Sequence, residues 1–343
     1  MKHLLNTLYV TTQGSYLRRE GETLAVEVGD EIRLRVPIHT LGGVVCFGRA
    51  MLSPAAMELC MEKQIAVSFL TENGKFLGKV IGKVHGNILL RREQYRRADN
   101  DLESVKIARA IIAGKIANGR TVLMRAARDS QSGDSIIVLS QAARKMGHTI
   151  RYLKNEESLD GIRGKEGFAA NVYFEVFDHL IVAQKEAFTF QGRSRRPPLD
   201  NVNALLSFIY TLLLHDVEGA LETVGLDPCA GFLHRDRPGR PSLALDMMEE
   251  LRPYLADRLA LSLINRQQVK ADGFSKTESG GVVMDEKTRK TVIIAYQERK
   301  RDEITHPFLK EKMEIGLLSY VQAMLLAKCL RNDLPCYTPF VWR

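Results

Sequence analysis

The stretch Gly231 to Pro253, GFLHRDRPGRPSLALDMMEELRP, gathers the residue types that metal-assisted phosphodiester chemistry needs. His234 offers an imidazole nitrogen from a loop of Gly, Pro and Arg. Asp246, Glu249 and Glu250 offer carboxylates from a helix that Pro241 and Ser242 open. Arg235, Arg237, Arg240 and Arg252 offer guanidinium groups for phosphate. Mixed oxygen and nitrogen donors suit Mn2+ or Mg2+ better than structural zinc. A cation held this way lowers the pKa of a bound water or hydroxyl and neutralises charge on a pentacovalent phosphate. For the helix alone a plainer reading stands beside this one. On a helical wheel over 243–258, Leu243, Met247, Leu251, Tyr254 and Leu255 form an apolar arc with the three acids opposite, as in a solvated acidic face near a helix amino terminus.

Another carboxylate comes from earlier in the chain. Ile162, Glu166, Ala169, Ala170 and Tyr173 recur at helical spacing and share one face. Glu166 therefore lies on or beside a buried stripe, flanked by Gly164 and Gly167. A buried carboxylate needs a cation or a hydrogen-bonded partner, and a core arginine or a metal ion satisfies that need equally.

Two kinds of element must position these groups, which makes the chain α+β: a small β domain with hairpins and a short helix over 1–95, then a larger all-helical domain over 96–343. In the first part Leu24, Val26 and Val28 alternate with polar residues, Gly29-Asp30 turns the chain, and Ile32, Leu34 and Val36 alternate again. Leu8 to Val10 and Ser15 to Leu17 read as an earlier hairpin around Gln13-Gly14. Leu41 to Phe47 and Ile65 to Leu70 read as strands, Ser53-Pro54 as a capped helix start, and Asn73-Gly74 as a tight turn before Phe76 to Val80. From Asp99-Asn100 the period becomes helical. Helices are expected to about Arg128, over 136–146 with Gly147 as the stop, from Ser158 to about Ala187, from Asp200 to Gly225 as the apolar core helix, on to about Gln268, and over 308–331. Residues 272–286 read as a polar hairpin or loop. The ending, PCYTPFVWR, is too rich in Pro and aromatics for a helix and reads as an extended arm that packs back or meets a partner.

Bulk composition fits this picture. The 343 residues are 45% hydrophobic and 26% charged, ordinary for a globular protein. No apolar run reads as a bilayer span and no secretory leader is visible, so a cytoplasmic protein with no membrane partner is expected. The five cysteines form no CxxC pair, which favours reduced, buried thiols over zinc or disulfides. Lys plus Arg outnumber Asp plus Glu by 49 to 41, a formal charge of +8 that points to a polyanion, nucleic acid first. The clusters that would touch phosphate are Arg91, Arg92, Arg96 and Arg97; Arg193, Arg195 and Arg196; Arg235; and Arg299, Lys300 and Arg301. A solvated helix face explains any one of them as well.

Along its whole length the chain resembles the CRISPR-associated integrase family, the Cas protein numbered one, and most of all its type I-C branch. Three motifs carry the resemblance: Gly164-Lys165-Glu166-Gly167, Gly231-Phe232-Leu233-His234, and the run from Pro241 to Pro253. The resemblance implies a metal-dependent DNA endonuclease and integrase with Glu166, His234 and Glu249 as catalytic metal ligands for Mn2+ or Mg2+. The last position usually holds Asp in the family, and Asp246 takes a supporting role. It further implies homodimers formed through the β domains, a heterocomplex with the small Cas protein numbered two, and double-stranded DNA as substrate, both prespacer and CRISPR repeat. A prespacer 3′-hydroxyl would attack a repeat phosphodiester in a transesterification; water in its place would cleave DNA. Two other readings share parts of the same residues. One is a repair nuclease for branched DNA. The other is a basic DNA-binding scaffold without catalysis, its acids structural.

Overall fold

Alternating apolar residues make strands in the first part of the chain. The computed structural model describes residues 6–342 apart from 73, 75, 81 and 83–87. Its first compact unit, Met1–His85, holds β1 (Asn6–Val10), β2 (Ser15–Glu20), β3 (Thr23–Val28), β4 (Glu31–Pro37), β5 (Leu41–Phe47), β6 (Met51–Leu52), α1 (Pro54–Glu62), β7 (Val67–Leu70) and β8 (Phe76–Val80). They form two four-stranded sheets, β1-β5-β7-β8 and β4-β3-β2-β6. Leu8, Leu17, Leu24, Val44, Leu59 and Val67 belong to one core cluster within the unit. Ser53 caps α1 through Ala56 N, as its sequence implies. The expected hairpin around Gln13-Gly14 does not form. β1 pairs in parallel with β5, while β2 pairs with β3 and β6 in the other sheet. The Gln13 side chain explains the corner: it donates to Phe47 O and accepts from Arg49 N, tying this bend to a distant loop and not to a two-strand turn. Gly74 is described, but Asn73 lies outside the described residues.

The second unit, Gly86–Arg343, is helical. It contains α2 (Ile88–Ala98), α3 (Asp101–Asp129), α4 (Gly133–Leu153), α5 (Leu159–Glu175), α6 (Asn201–Val224), α7 (Ser242–Met248), α8 (Arg258–Asn265), β9 (Phe274–Lys276), β10 (Val282–Met284), α9 (Glu286–Arg301), β11 (Glu303–Thr305), β12 (Lys312–Glu314) and α10 (Leu318–Leu330). The division falls before α2, ahead of the expected 95/96 boundary, because α2 packs on helical-unit residues. Arg91 Nε donates to Gly225 O at 3.1 Å, and buried Gln94 donates to Asp227 O at 2.8 Å. Asn100, Ser158 and Asp200 cap α3, α5 and α6, and Gly225 closes α6 in the left-handed region at φ +92°.

Several boundaries differ from expectation. Gly147 does not stop α4; a Cβ there would lie 3.1 Å from Arg120 Nε, so this glycine serves close packing of α3 on α4. α5 ends at Glu175, not near Ala187, because Phe174, Phe177 and Phe190 stack together and fold the following segment back. The stretch expected as one helix over 308–331 spends its start on the β11–β12 hairpin. α6 is long and apolar enough for a bilayer span, contrary to expectation. It nevertheless packs inside this unit, where its Asp216 pairs with Lys300 Nζ at 2.8 Å. Three cysteines are buried as expected, but Cys229 and Cys336 are exposed, and all five are free.

The C-terminal arm packs back on its own unit. Asn118 of α3 donates to Phe340 O at 2.9 Å and accepts from Trp342 N at 2.7 Å. The Arg125 and Arg258 guanidinium carbons lie 3.9 and 4.1 Å from the Trp342 ring centre. Phe340 is fully buried. Phe340→Ala should therefore lower the unfolding free energy by about 3–5 kcal/mol. Tyr152→Ala, at a side chain 71% exposed, should change it by less than about 0.5 kcal/mol. Denaturant melts of both variants check this.

Candidate metal centre

The helix expected over 243–258 is not one α-helix. α7 stops at Met248, a turn follows, and Arg252–Asp257 forms a π-helical turn before α8. Pro253 has no N–H to return to the carbonyl of residue 249, so the α ladder cannot run through. No residue from 242 to 257 is exposed, so the stretch has no solvent face. Asp246, Glu249 and Glu250 do not form a solvated face; all three are buried, with Glu249 the most exposed at 3%. Each acid meets a different set of partners.

Asp246 holds the His234 loop. Its Oδ2 accepts from Phe232 N at 2.7 Å and Leu233 N at 2.9 Å, and its Oδ1 accepts from His234 N at 3.0 Å. The same Oδ1 lies 2.5 Å from His234 Nδ1. A carboxylate offers only acceptors, so Nδ1 carries the hydrogen, and in the neutral imidazole that leaves the lone pair on Nε2. Gly231 permits this approach, since a Cβ there would stand 2.8 Å from Ser242 Cβ and 2.9 Å from Asp246 Oδ2. Arg163 of α5 clamps the loop from the other side, its NH2 donating to Leu233 O at 2.6 Å. Glu166 lies one turn further along that helix.

Glu249 and Glu166 converge on one cation that sequence reasoning missed. Lys115 Nζ of α3 pairs closely with Glu166 Oε1 and lies 2.7 Å from Glu249 Oε2. The Lys115 ammonium is thus the cationic partner of the buried Oε2. Arg252 NH1 donates to Glu249 Oε1 at 2.6 Å. Burial pushes the Glu249 carboxyl up, but Arg252 and Lys115 prevail and hold it at about 2. The signal for Lys115 was present: it sits three and four positions after Ile112 and Ile111 on the buried stripe of α3. Glu250 turns the other way. Its Oε1 accepts from Tyr337 OH at 2.6 Å and Gln322 Nε2 at 3.0 Å, and its Oε2 from Phe340 N at 2.9 Å. It anchors the C-terminal arm.

The donor set fits a divalent cation. Glu166, Asp246 and Glu249 carry three formal negative charges against two on Lys115 and Arg252, leaving a formal −1. A cation already standing between two carboxylates, and an imidazole oriented through Nδ1, complete it. Among the described residues, however, no three His, Cys, Asp or Glu side chains already form a cage. The two carboxylates meet at Lys115, while His234 is held by Asp246.

The basic clusters divide by burial. Arg97 bonds Leu330 O, Asn332 and Glu93; Arg193 bonds Asn203 and Ser207; Lys300 pairs with Asp216. Arg91 is tied to Gly225 O, and Arg299 to Asp302 at 2.7 Å. Each of these five has a partner within the helical unit. Arg92, Arg96, Arg195, Arg196, Arg235 and Arg301 are exposed. A groove of about 880 Å³ adds a surface that sequence reasoning also missed. Its lining includes Arg144, Lys145, Lys165, Tyr152 and Phe168 of α4 and α5.

Beneath the centre, Tyr210 OH donates to buried Asp257 at 2.6 Å. Burial pushes the Asp257 carboxyl up to about 6 from an ordinary 3.8. The folded state then binds more protons than the unfolded one between those values, so this group's contribution falls as pH rises from about 3.8 to about 6. Asp257→Asn should flatten that part of the stability–pH curve, by roughly 3 kcal/mol across the window. Paired melts of the two proteins at a series of pH values measure the difference. Asp246→Ala should cost about 3–5 kcal/mol, because it strands three backbone N–H groups and the imidazole N–H. Asp246→Asn should recover part of that in the same melts.

A family model described as CRISPR associated protein Cas1 matches residues 8–298. The chain is 54% identical over 343 residues to the CRISPR-associated endonuclease Cas1 1 of Chlorobaculum tepidum, covering 100% of both. Its fold matches a casposase bound to integration product with a TM-score of 0.82 at 21% identity, over 97% of this chain and 93% of that one. It also matches a chain of a Cas6-RT-Cas1–Cas2 complex with a TM-score of 0.83 at 23% identity, over 100% of this chain and 36% of that one. With the family model spanning both units and a full-length relative at this identity, the chain belongs to the Cas1 family of CRISPR-associated endonucleases.

Proposed function

We propose that this Cas1 chain is a divalent-metal-dependent DNA endonuclease and integrase of the type I-C branch, with Glu166, His234 and Glu249 as ligands of Mn2+ or Mg2+. One observation carries the reading: Glu166 from α5 and Glu249 from the end of α7 reach the same cation, Lys115 Nζ, although they are far apart in the chain. When bound, the metal would supply Lewis-acid activation of the phosphodiester and of the attacking hydroxyl. The chain's own groups do the positioning. Asp246 orients the imidazole, Arg252 holds Glu249, and Arg163 fixes the loop that carries His234. Exposed Arg235, beside His234, offers a guanidinium to a flanking phosphate. The α4–α5 groove offers Arg144, Lys145 and Lys165 to the backbone, with exposed Tyr152 and Phe168 for stacking.

The substrate in this reading is a prespacer duplex whose 3′-hydroxyl attacks a phosphodiester of the CRISPR repeat, one P–O bond forming as another breaks. Water in place of that hydroxyl gives cleavage. The likeness to a casposase bound to integration product supports joining chemistry on this fold. The likeness to a chain of a Cas6-RT-Cas1–Cas2 complex supports a heterocomplex with Cas2, and the β-rich unit is the proposed homodimer surface. Glu166→Gln, His234→Ala and Glu249→Gln should each reduce Mn2+-dependent cleavage and half-site integration by at least roughly 100-fold, with DNA binding kept within a few-fold. The assay uses a labelled duplex with a free 3′-hydroxyl and a plasmid carrying the repeat. Undiminished processing by all three variants would sink the metal centre. Cleavage by the wild type with no joined product would favour a repair nuclease.

A further inference from the structure

We infer that Lys115 is a built-in counter-ion that competes with the divalent cation for Glu166 and Glu249, and so sets the affinity at which the centre loads. This rests on the reading that those two carboxylates hold the metal.

The ammonium lies where a cation is needed. Lys115 Nζ pairs with Glu166 Oε1 and stands 2.7 Å from Glu249 Oε2, and its side chain is only 16% exposed. The other oxygen of Glu249 is taken by Arg252 NH1, and His234 Nδ1 is taken by Asp246. Every group expected to ligate, apart from the imidazole Nε2, is thus drawn to a partner of the protein's own. This explains why no open cage of three His, Cys, Asp or Glu side chains stands ready among the described residues. Two carboxylates brought together repel each other, and a single positive charge between them removes that cost. An ammonium and a metal ion cannot both occupy the oxygens they share. Loading therefore requires the ammonium to swing away on its flexible four-carbon stem. Lysine suits this better than arginine: a compact point charge releases two carboxylates more readily than a planar fork that bonds them bidentately.

Two opposite consequences follow for a chain without this charge. The metal-free state loses the neutralisation of Glu166 and Glu249 and becomes less stable. The metal meets two carboxylates with no competitor and binds more tightly. A purely structural lysine would produce the first effect alone.

The test uses the full chain without DNA, titrated with Mn2+ and read by the electron paramagnetic resonance signal of the free ion. Lys115→Met should bind Mn2+ about tenfold or more tightly than wild type. It should also melt at a lower temperature without metal and gain more than wild type on adding Mn2+. Lys115→Arg should bind no more tightly than wild type. Equal or weaker binding by folded Lys115→Met overturns the inference, and Lys115→Gln takes its place in the same titration if Met fails to fold. Glu166→Gln separates the two ideas. If it titrates like wild type, the metal centre itself is misplaced. If it loses the site while Lys115→Met fails to tighten it, only the counter-ion role falls.

Discussion

Neutralising buried carboxylates is the constraint on which the helical unit depends. Asp246, Glu249 and Glu250 are all buried within a single turn of chain. An ionised carboxylate taken from water without partners costs several kcal/mol, so each had to be met separately. Asp246 is met by three backbone N–H groups and an imidazole, Glu249 by a guanidinium and an ammonium. Glu250 receives neutral donors only, and burial pushes its carboxyl up to about 7. Neighbouring acids of one short segment thus hold a loop, face the centre and anchor the arm.

These demands shape the elements around the site. α3 presents Lys115 to Glu249 and Asn118 to Glu250 O and to the arm, three contacts made by one helix face. α5 delivers Glu166 while its Arg163 grips the loop before His234. Gln322 of α10 lies between buried His306 and Glu250, joining the end of the chain to the same network. The π-helical turn lets Arg252 reach back to Glu249 while Tyr254 faces Phe340 and Trp342. Such turns occur often at functional sites because they re-aim side chains that an α-helix would direct elsewhere.

Positive charge serves two purposes here, and composition alone does not separate them. The +8 balance suggested a polyanionic partner. Part of it is internal scaffolding: Arg97, Arg193 and Lys300 spend their charge on carbonyls and acids of their own unit. What remains on the surface is a smaller set that includes Arg92, Arg195 and Arg235. Long basic side chains do both jobs, since their stems pack while their heads seek partners.

Periodicity by itself determined most strands of the first unit and where α3, α5 and α6 begin, because alternation and cap chemistry are local. Asn100, Ser158 and Asp200 act where their types predict. The motifs around Glu166, His234 and Pro241 to Pro253 were legible for the same reason: their residue types and order are fixed along the chain. Only the tertiary structure decided what those residues meet. That Asp246 serves His234, that Glu250 holds the C-terminal arm, and that Lys115 joins Glu166 to Glu249 are contacts between elements many residues apart. No local spacing encodes them, and because other elements cover the whole stretch from 242 to 257, its acids lie in the core, where burial made their partners necessary.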